Sequence, residues 1–159
     1  MVKDIKAAKL EITVEGEVTS FLGVTIDRLP NGTIKFSQPL LIEKILKALK
    51  FQSNTIIKKT PMSSTKRLLR HKDSPSFDNS FNYRSVIGML NYLDAGSRSD
   101  IAYATHQCAR FTTDPKIQHG EALRWLGIYL KGTKTQGMIF KPDRLAGIQV
   151  FVDADFSGN

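Results

Sequence analysis

The sequence predicts an α+β chain: a β-hairpin first, a run of amphipathic helices next, and strands again at the end. Three observations carry this. Residues 21–37, FLGVTIDRLPNGTIKFS, set β-favouring side chains on either side of an Asn-Gly pair. Across residues 39–49 and 83–132, apolar positions recur every three or four residues, the spacing of a buried helix face. Residues 138–153 then return to short β-rich runs, MIF and IQVFVD.

Each element follows from its own residues. Residues 10–14 read as a first strand, and residues 21–37 as two more joined by Leu29-Pro30-Asn31-Gly32. Asn-Gly supplies the positive φ angles that a tight hairpin needs. Ser37-Gln38-Pro39 opens a helix, because proline is tolerated in a first turn whose N–H groups lack partners. Leu41, Ile42, Ile45, Leu46 and Leu49 form its apolar stripe. Residues 51–80 lose all periodicity and predict a long, mobile loop. A helix over 83–95 places Tyr83, Val86, Ile87, Leu90 and Leu93 on one face, with Gly96 as its stop. The next, over 101–111, has Ser99 or Asp100 as N-cap and Ile101, Ala104, Cys108 and Phe111 on one face. Asp114-Pro115 starts a third, with Ala122, Trp125, Leu126, Tyr129 and Leu130 inward and Gly132 closing it. The chain ends on a strand that has just begun something, which suggests a fragment.

Composition narrows the function. At 159 residues, 41% hydrophobic and 24% charged, the chain can build a packed core. It has no apolar run near the roughly 20 residues of a membrane span, and its charged N-terminus has no signal-peptide core. No membrane partner and an intracellular setting, cytoplasmic or nuclear, are therefore expected. One cysteine, Cys108, excludes an internal disulfide framework. The formal charge is +8, and residues 44–72 hold nine basic residues and no acidic one. Such a block points to a polyanion, with a merely solvated basic loop as the alternative.

Few residues have the pattern of a chemical site. Gly88 interrupts a good helix at a cost of about 1 kcal/mol. Arg84, Gly88, Asn91 and Tyr92 share the face opposite the apolar stripe, where a small residue flanked by donors admits another backbone. A nucleic-acid duplex would meet Arg84 through phosphate, and Asn91 and Tyr92 along a groove; helix packing against Gly88 is the other option. Asp153 and Asp155, at i and i+2, project to one face of a strand, where a divalent site could begin. His106, Arg110 and His119 have no partner nucleophile at a useful spacing, and Cys108 falls on an apolar stripe, so none is assigned catalysis.

In order and spacing, FLGVTIDRLPNGTIKFSQPLLIEKIL, TPMSS, YRSVIGMLNYL, SRSDIAYATHQCARF, DPKIQHGEALRWLGIYLKGT and VFVDADFSGN together resemble a copia-type LTR retrotransposon Pol polyprotein. The matching portion runs from the end of the reverse transcriptase palm, through thumb and connection, into the start of the ribonuclease H domain. The resemblance implies palm residues with a primer-grip-like hairpin over 1–38. It implies thumb- and connection-like helices over 39–132, with the basic loop at 51–80, and the truncated start of a ribonuclease H-like sheet over 133–159. It implies that Phe21, Leu22 and Gly23 grip the primer terminus, and that Tyr83 and Tyr92 bracket a thumb helix that follows the duplex minor groove. Lys58 and Lys59 join Arg84, Gly88, Asn91 and Tyr92 as nucleic-acid-binding residues. Asp153 matches the first metal-binding carboxylate of ribonuclease H.

The departures are equally informative. No Tyr-x-Asp-Asp polymerase motif occurs, and Ser97-Arg98-Ser99-Asp100 stands where the family has Thr-Arg-Pro-Asp. The resemblance thus implies a parent enzyme using Mg²⁺ or Mn²⁺, with no metal held tightly by this segment. The expected partners are an RNA–DNA or DNA duplex and the rest of the Pol polyprotein, and the setting a cytoplasmic virus-like particle or the nucleus. A non-catalytic nucleic-acid-binding module, or a non-functional remnant of a transposable element, are the alternatives.

Overall fold

A computed structural model describes residues 16–51, 56–63, 67–70 and 74–141. The strand expected at 10–14 and the run at 148–153, with Asp153 and Asp155, lie outside the described residues. What is described is α+β. Strands β1 (Ser20–Phe21), β2 (Val24–Arg28), β3 (Ile34–Ser37) and β4 (Met138–Phe140) form one antiparallel sheet in sequence order. Helices α1 (Pro39–Ala48), α2 (Tyr83–Gly96), α3 (Ala102–Ala109) and α4 (Ile117–Gly132) form the core, with a 3-10 turn at Ser99–Ile101.

Most members of the expected apolar stripes are buried, but Leu41, Leu46, Ala122 and Trp125 are only half-buried, and Leu123, outside the expected stripe, is fully buried. Ile42, Ile45 and Leu49 meet Val86, Leu90 and Leu93, with Ile101, Leu123, Leu126 and Leu130 completing a fully buried centre. Burying each such side chain contributes about 1.5–3 kcal/mol, which is why periodicity located the helices. Phe77 and Phe81, from the segment expected to be a mobile loop, also enter this core and stack edge-on at 4.8 Å.

Several local expectations need correction. The Asn31-Gly32 turn is longer than a two-residue hairpin. Gly32 alone has positive φ, its N–H donates to the Leu29 carbonyl, and Asn31 Oδ1 instead accepts from Thr33 N–H. The two-residue turn lies at Leu22-Gly23, with φ of 47° and 77°. Neither Ser99 nor Asp100 caps α3; the 3-10 turn follows Arg98, and the Asp100 carboxylate is engaged elsewhere. Gly96 does end α2, as its last residue. Asp114-Pro115 does not open α4, because the adjoining Lys116 pairs with Ser76 across a short bridge and Pro115 accepts from Phe77 N–H. The helix starts at Ile117, where the Lys116 N–H donates to His119 Nδ1 in place of an acidic cap. Strand β4 pairs with β3, so it completes the hairpin sheet instead of opening a second one. Gly137 permits this approach, since a Cβ there would run into the Phe36 carbonyl.

Arg98 ties the helices together. It is 1% exposed, and its Nε and Nη2 donate to the two Asp100 carboxylate oxygens at 2.8 Å each. Nη1 and Nη2 reach the Thr133 carbonyl at 3.0 Å and its hydroxyl at 2.8 Å, just past the C-terminus of α4. Tyr129, from α4, donates to Asp100 at 2.7 Å. Burial pushes the Asp100 carboxyl up, but the hydrogen bonds from Arg98 and Tyr129 and the Arg98 charge bring it below the usual carboxylate range.

Arg98→Ala should cost about 2–3 kcal/mol in urea unfolding, less than the 3–5 of a wholly buried pair because Asp100 keeps contact with water. Arg98→Lys should restore little, since an ammonium cannot make the forked bond. A carboxyl held low in the fold stabilises fully above its unfolded pKa of about 3.9 and loses that contribution as pH falls through the lower folded value. Asp100→Asn should therefore flatten the fall in stability below about pH 4; an unchanged acid limb would show that other carboxylates dominate it.

Candidate nucleic-acid interface

Helix α2 turns two different faces outward and inward. Its inward face carries Tyr83, Val86, Ile87, Leu90 and Leu93, and the Tyr83 hydroxyl donates to the Cys108 carbonyl at 2.8 Å. Its Asn82 cap accepts from Ser85 N–H at 2.9 Å, which fixes the first turn. The outward face carries Arg84, Gly88, Asn91 and Tyr92, all exposed. A Cβ built at Gly88 would meet nothing within 4 Å. Among the described residues, then, no side chain or neighbouring element would meet a Cβ at Gly88.

The β1–β2 turn reaches this same face. The Tyr92 hydroxyl donates to the Leu22 carbonyl at 2.5 Å, 70 residues away in sequence. Leu22 is 71% exposed and Phe21 64%, so the turn presents apolar side chains to water beside the donors of α2. A leucine in the left-handed region is strained by about 1–2 kcal/mol. The structure thus brings Leu22 and Tyr92 into direct contact and sets Arg84, Gly88 and Asn91 along the same helix. At the start of α2 the face runs into a polar cleft of about 490 Å³ lined in part by Asn79, Asn82, Arg84, Thr112 and Thr113. Among the described residues no carboxylate lines it.

The basic segment is placed differently. Lys58 lies over the Trp125 ring, 4.1 Å from its centroid, and Trp125 Nε1 donates to the Thr60 carbonyl at 2.9 Å. Lys58 is therefore half-buried against α4, while Lys59 is exposed. Further along, Gln107 accepts from Leu68 N–H at 3.2 Å, and Gln118 Nε2 and His119 Nε2 both reach the Leu69 carbonyl. The described parts of 56–70 are strapped onto α3 and α4, contrary to the expectation of a loose loop. Arg67 and Arg70 stay exposed on that strap.

Three residues escaped the sequence reading. His119 is wholly buried, stacked on Phe111 at 3.7 Å between centroids, and its two ring nitrogens are spent on Lys116 N–H and the Leu69 carbonyl. Arg98 and Tyr129 act through the network above; an arginine with an aspartate two residues on, between two helices, was the available signal. Burial pushes the Cys108 thiol up to about 12, so it stays a protonated core group. Among the described residues no three His, Cys, Asp or Glu side chains group as metal ligands, and no helix is long and apolar enough to cross a membrane.

Comparison with known proteins adds a consistent result. The chain is 32% identical over 146 residues to the retrovirus-related Pol polyprotein from transposon RE1 of Arabidopsis thaliana, covering 90% of this chain and 10% of that one. It is 29% identical over 140 residues to a transposon Ty5-1 protein of Saccharomyces cerevisiae, covering 87% and 44%. A third relative, the retrovirus-related Pol polyprotein from transposon TNT 1-94 of Nicotiana tabacum, is 27% identical over 150 residues, covering 91% and 11%. The chain spans about a tenth of the length of the Pol polyproteins it matches. No family model matches it. No solved structure matches it.

If the Leu22-Gly23 turn is strained as its φ angles require, Leu22→Asn should raise stability by about 0.5–1 kcal/mol, since asparagine tolerates the left-handed region. Thermal unfolding of the two proteins measures it. An unchanged or lower midpoint would mean that Leu22 makes compensating contacts.

Proposed function

Since the chain is homologous to a segment of the retrovirus-related Pol polyproteins of transposons, we propose that it holds the primer–template duplex in a copia-type reverse transcriptase and ribonuclease H. The observation that carries this reading is the open face of α2. Gly88 spends helix stability on a position where, among the described residues, an added Cβ would meet nothing within 4 Å. Close approach by a sugar–phosphate backbone is what such a gap suits, with Arg84 for phosphate and Asn91 for a groove edge. The β1–β2 turn, pinned by Tyr92 beside this face, is the part assigned to the primer terminus. The basic surplus of residues 44–72 adds a sequence-independent attraction.

Catalysis is not assigned to this chain. The parent's Mg²⁺ or Mn²⁺ would need several oxygen ligands, and Asp153, the one candidate carried over by resemblance, lies outside the described residues. The described residues offer no acidic cluster to complete it. The proposed setting is that of the parent polyprotein, a cytoplasmic particle or the nucleus.

Two measurements test the proposal. In fluorescence anisotropy, an RNA–DNA hybrid should bind with little sequence preference, and affinity should fall with salt by roughly 0.7–0.9 log units per log unit for each phosphate contacted. Gly88→Leu should weaken binding at least tenfold while raising helix stability by up to about 1 kcal/mol. Arg84→Ala and Lys59→Ala should lower the salt slope. Equal affinity for the folded Gly88→Leu protein would refute the groove assignment. Primer extension by the purified chain with Mg²⁺ or Mn²⁺ and nucleotides should stay at background, and robust template-dependent synthesis would overturn the view that catalytic acids lie elsewhere.

A further inference from the structure

Strand β3 ends at Ser37 and α1 begins at Pro39, so Gln38 alone makes the joint between them. Its main chain has little freedom, because the residue before a proline is kept out of the helical region. Its φ is −136° and its ψ 59°. The Gln38 carbonyl accepts from Ile42 N–H in the first turn of α1, yet its side chain caps nothing in that helix. The amide turns away instead and is 1% exposed. There the Ser97 hydroxyl, just past the end of α2, donates to Gln38 Oε1 at 2.9 Å. Gly96 leaves the space, since a Cβ there would lie 2.5 Å from the same oxygen. Among the described residues Gln38 Nε2 has no hydrogen-bond partner.

This joint matters because the hydrophobic core does not set the angle of the sheet. Among the described residues, no apolar side chain of the four strands belongs to the buried core cluster or packs against it. A cleft of about 490 Å³ is lined by Lys35, Met138 and Ile139 of the strands and by Ser97, Arg98 and Asp100 beyond α2. Among the described residues two hydrogen bonds tie the hairpin and its joint to α2. Tyr92 donates to the Leu22 carbonyl at the turn, and Ser97 donates to Gln38 at the joint. The first is exposed, where water competes for it; the second is buried, where water does not. A buried amide with an unmet donor costs stability that an apolar side chain of equal length would not. What the amide supplies is direction, since a hydrogen bond is directional and apolar contact is not. We infer that Gln38 is a positioning residue. Through Ser97 it pins the hairpin sheet at one angle to α2, and so sets the gap between the β1–β2 turn and the face carrying Arg84, Gly88 and Asn91. The placement of the sheet stands without the duplex reading, whereas its consequence for binding rests on that reading.

The test uses the full chain with nitroxide labels at Asp27→Cys on β2 and Ser85→Cys on α2, both exposed positions outside the proposed contacts. Native Cys108 is buried, so labelling is confined to the two new thiols. Double electron–electron resonance then reads the distance from sheet to helix with no nucleic acid present, and it should be single and narrow. Gln38→Met combined with Ser97→Ala removes both partners of the bond, so the unfolding midpoint should hold or rise. In that variant the distance should broaden or shift, and affinity for an RNA–DNA hybrid should fall by about fivefold or more. Binding lost while stability is kept is a split that a merely structural role would not give. Gly96→Ala displaces the Gln38 amide from the other side while favouring the helix, and should move the distance in the same way. It replaces the double variant if that one does not fold. Ser97→Thr keeps the hydroxyl and should keep both distance and affinity. An unchanged distance in the folded double variant would overturn the inference, as would a changed distance with unchanged hybrid affinity. If the unaltered chain binds no hybrid, the duplex reading fails and the distance alone decides the placement.

Discussion

Arg98 carries a full charge into a site 1% exposed, and the groups that accept it come from two distant stretches of chain. Asp100 supplies the countercharge from the 3-10 turn, and Thr133 supplies a carbonyl and a hydroxyl past the end of α4. Tyr129 then braces Asp100 from α4 itself. Removing water from a guanidinium is expensive, and only a complete set of acceptors makes it tolerable. The network consequently fixes the end of α4 against the start of α3. Because α2 leads directly into Ser97 and Arg98, it also fixes where α2 stops. The open face bearing Gly88 owes its direction to this anchor: the helix cannot rotate without withdrawing a buried charge.

Much of this was legible in the residues. Helix positions followed from apolar spacing because burial of Val86, Leu90, Leu126 and their neighbours is a large, one-sided term. Boundaries were less legible, since they depend on tertiary partners. Asp114-Pro115 has the composition of a helix start, yet the neighbouring Lys116 pairs with Ser76, and a buried histidine serves as the cap. Asn31-Gly32 has the composition of a two-residue turn, while Leu22-Gly23, with a poor composition for it, adopts one. In that case the Tyr92 bond holds a conformation that leucine disfavours. Local propensity was overruled by a contact with no sequence signature.

The candidate interface was legible in part for the same reason. A glycine inside a helix signals a backbone requirement, so Gly88 could be singled out, and among the described residues an added Cβ there would meet nothing. The contact between Leu22 and Tyr92 spans 70 residues and could not be read. Lys58 looked like a free cation in the sequence, but its ammonium sits on Trp125. Nothing in a basic run distinguishes a lysine resting on an aromatic ring from one in water.

The strap along α3 and α4 is held by its main chain. The Thr60, Leu68 and Leu69 carbonyls and the Leu68 N–H take the hydrogen bonds, while partners on the helices supply the side chains. Every residue type except proline offers the same carbonyl and the same N–H. The route of this segment is thus encoded in Gln107, Arg110, Gln118, His119 and Trp125, helped by the Met62 and Leu68 side chains against the core and Lys58 on Trp125. Substitution at the exposed Lys59, Arg67 and Arg70 can therefore retune surface charge without redirecting the chain, whereas a change at any of those five positions withdraws a hold on the strap even though its own sequence is untouched.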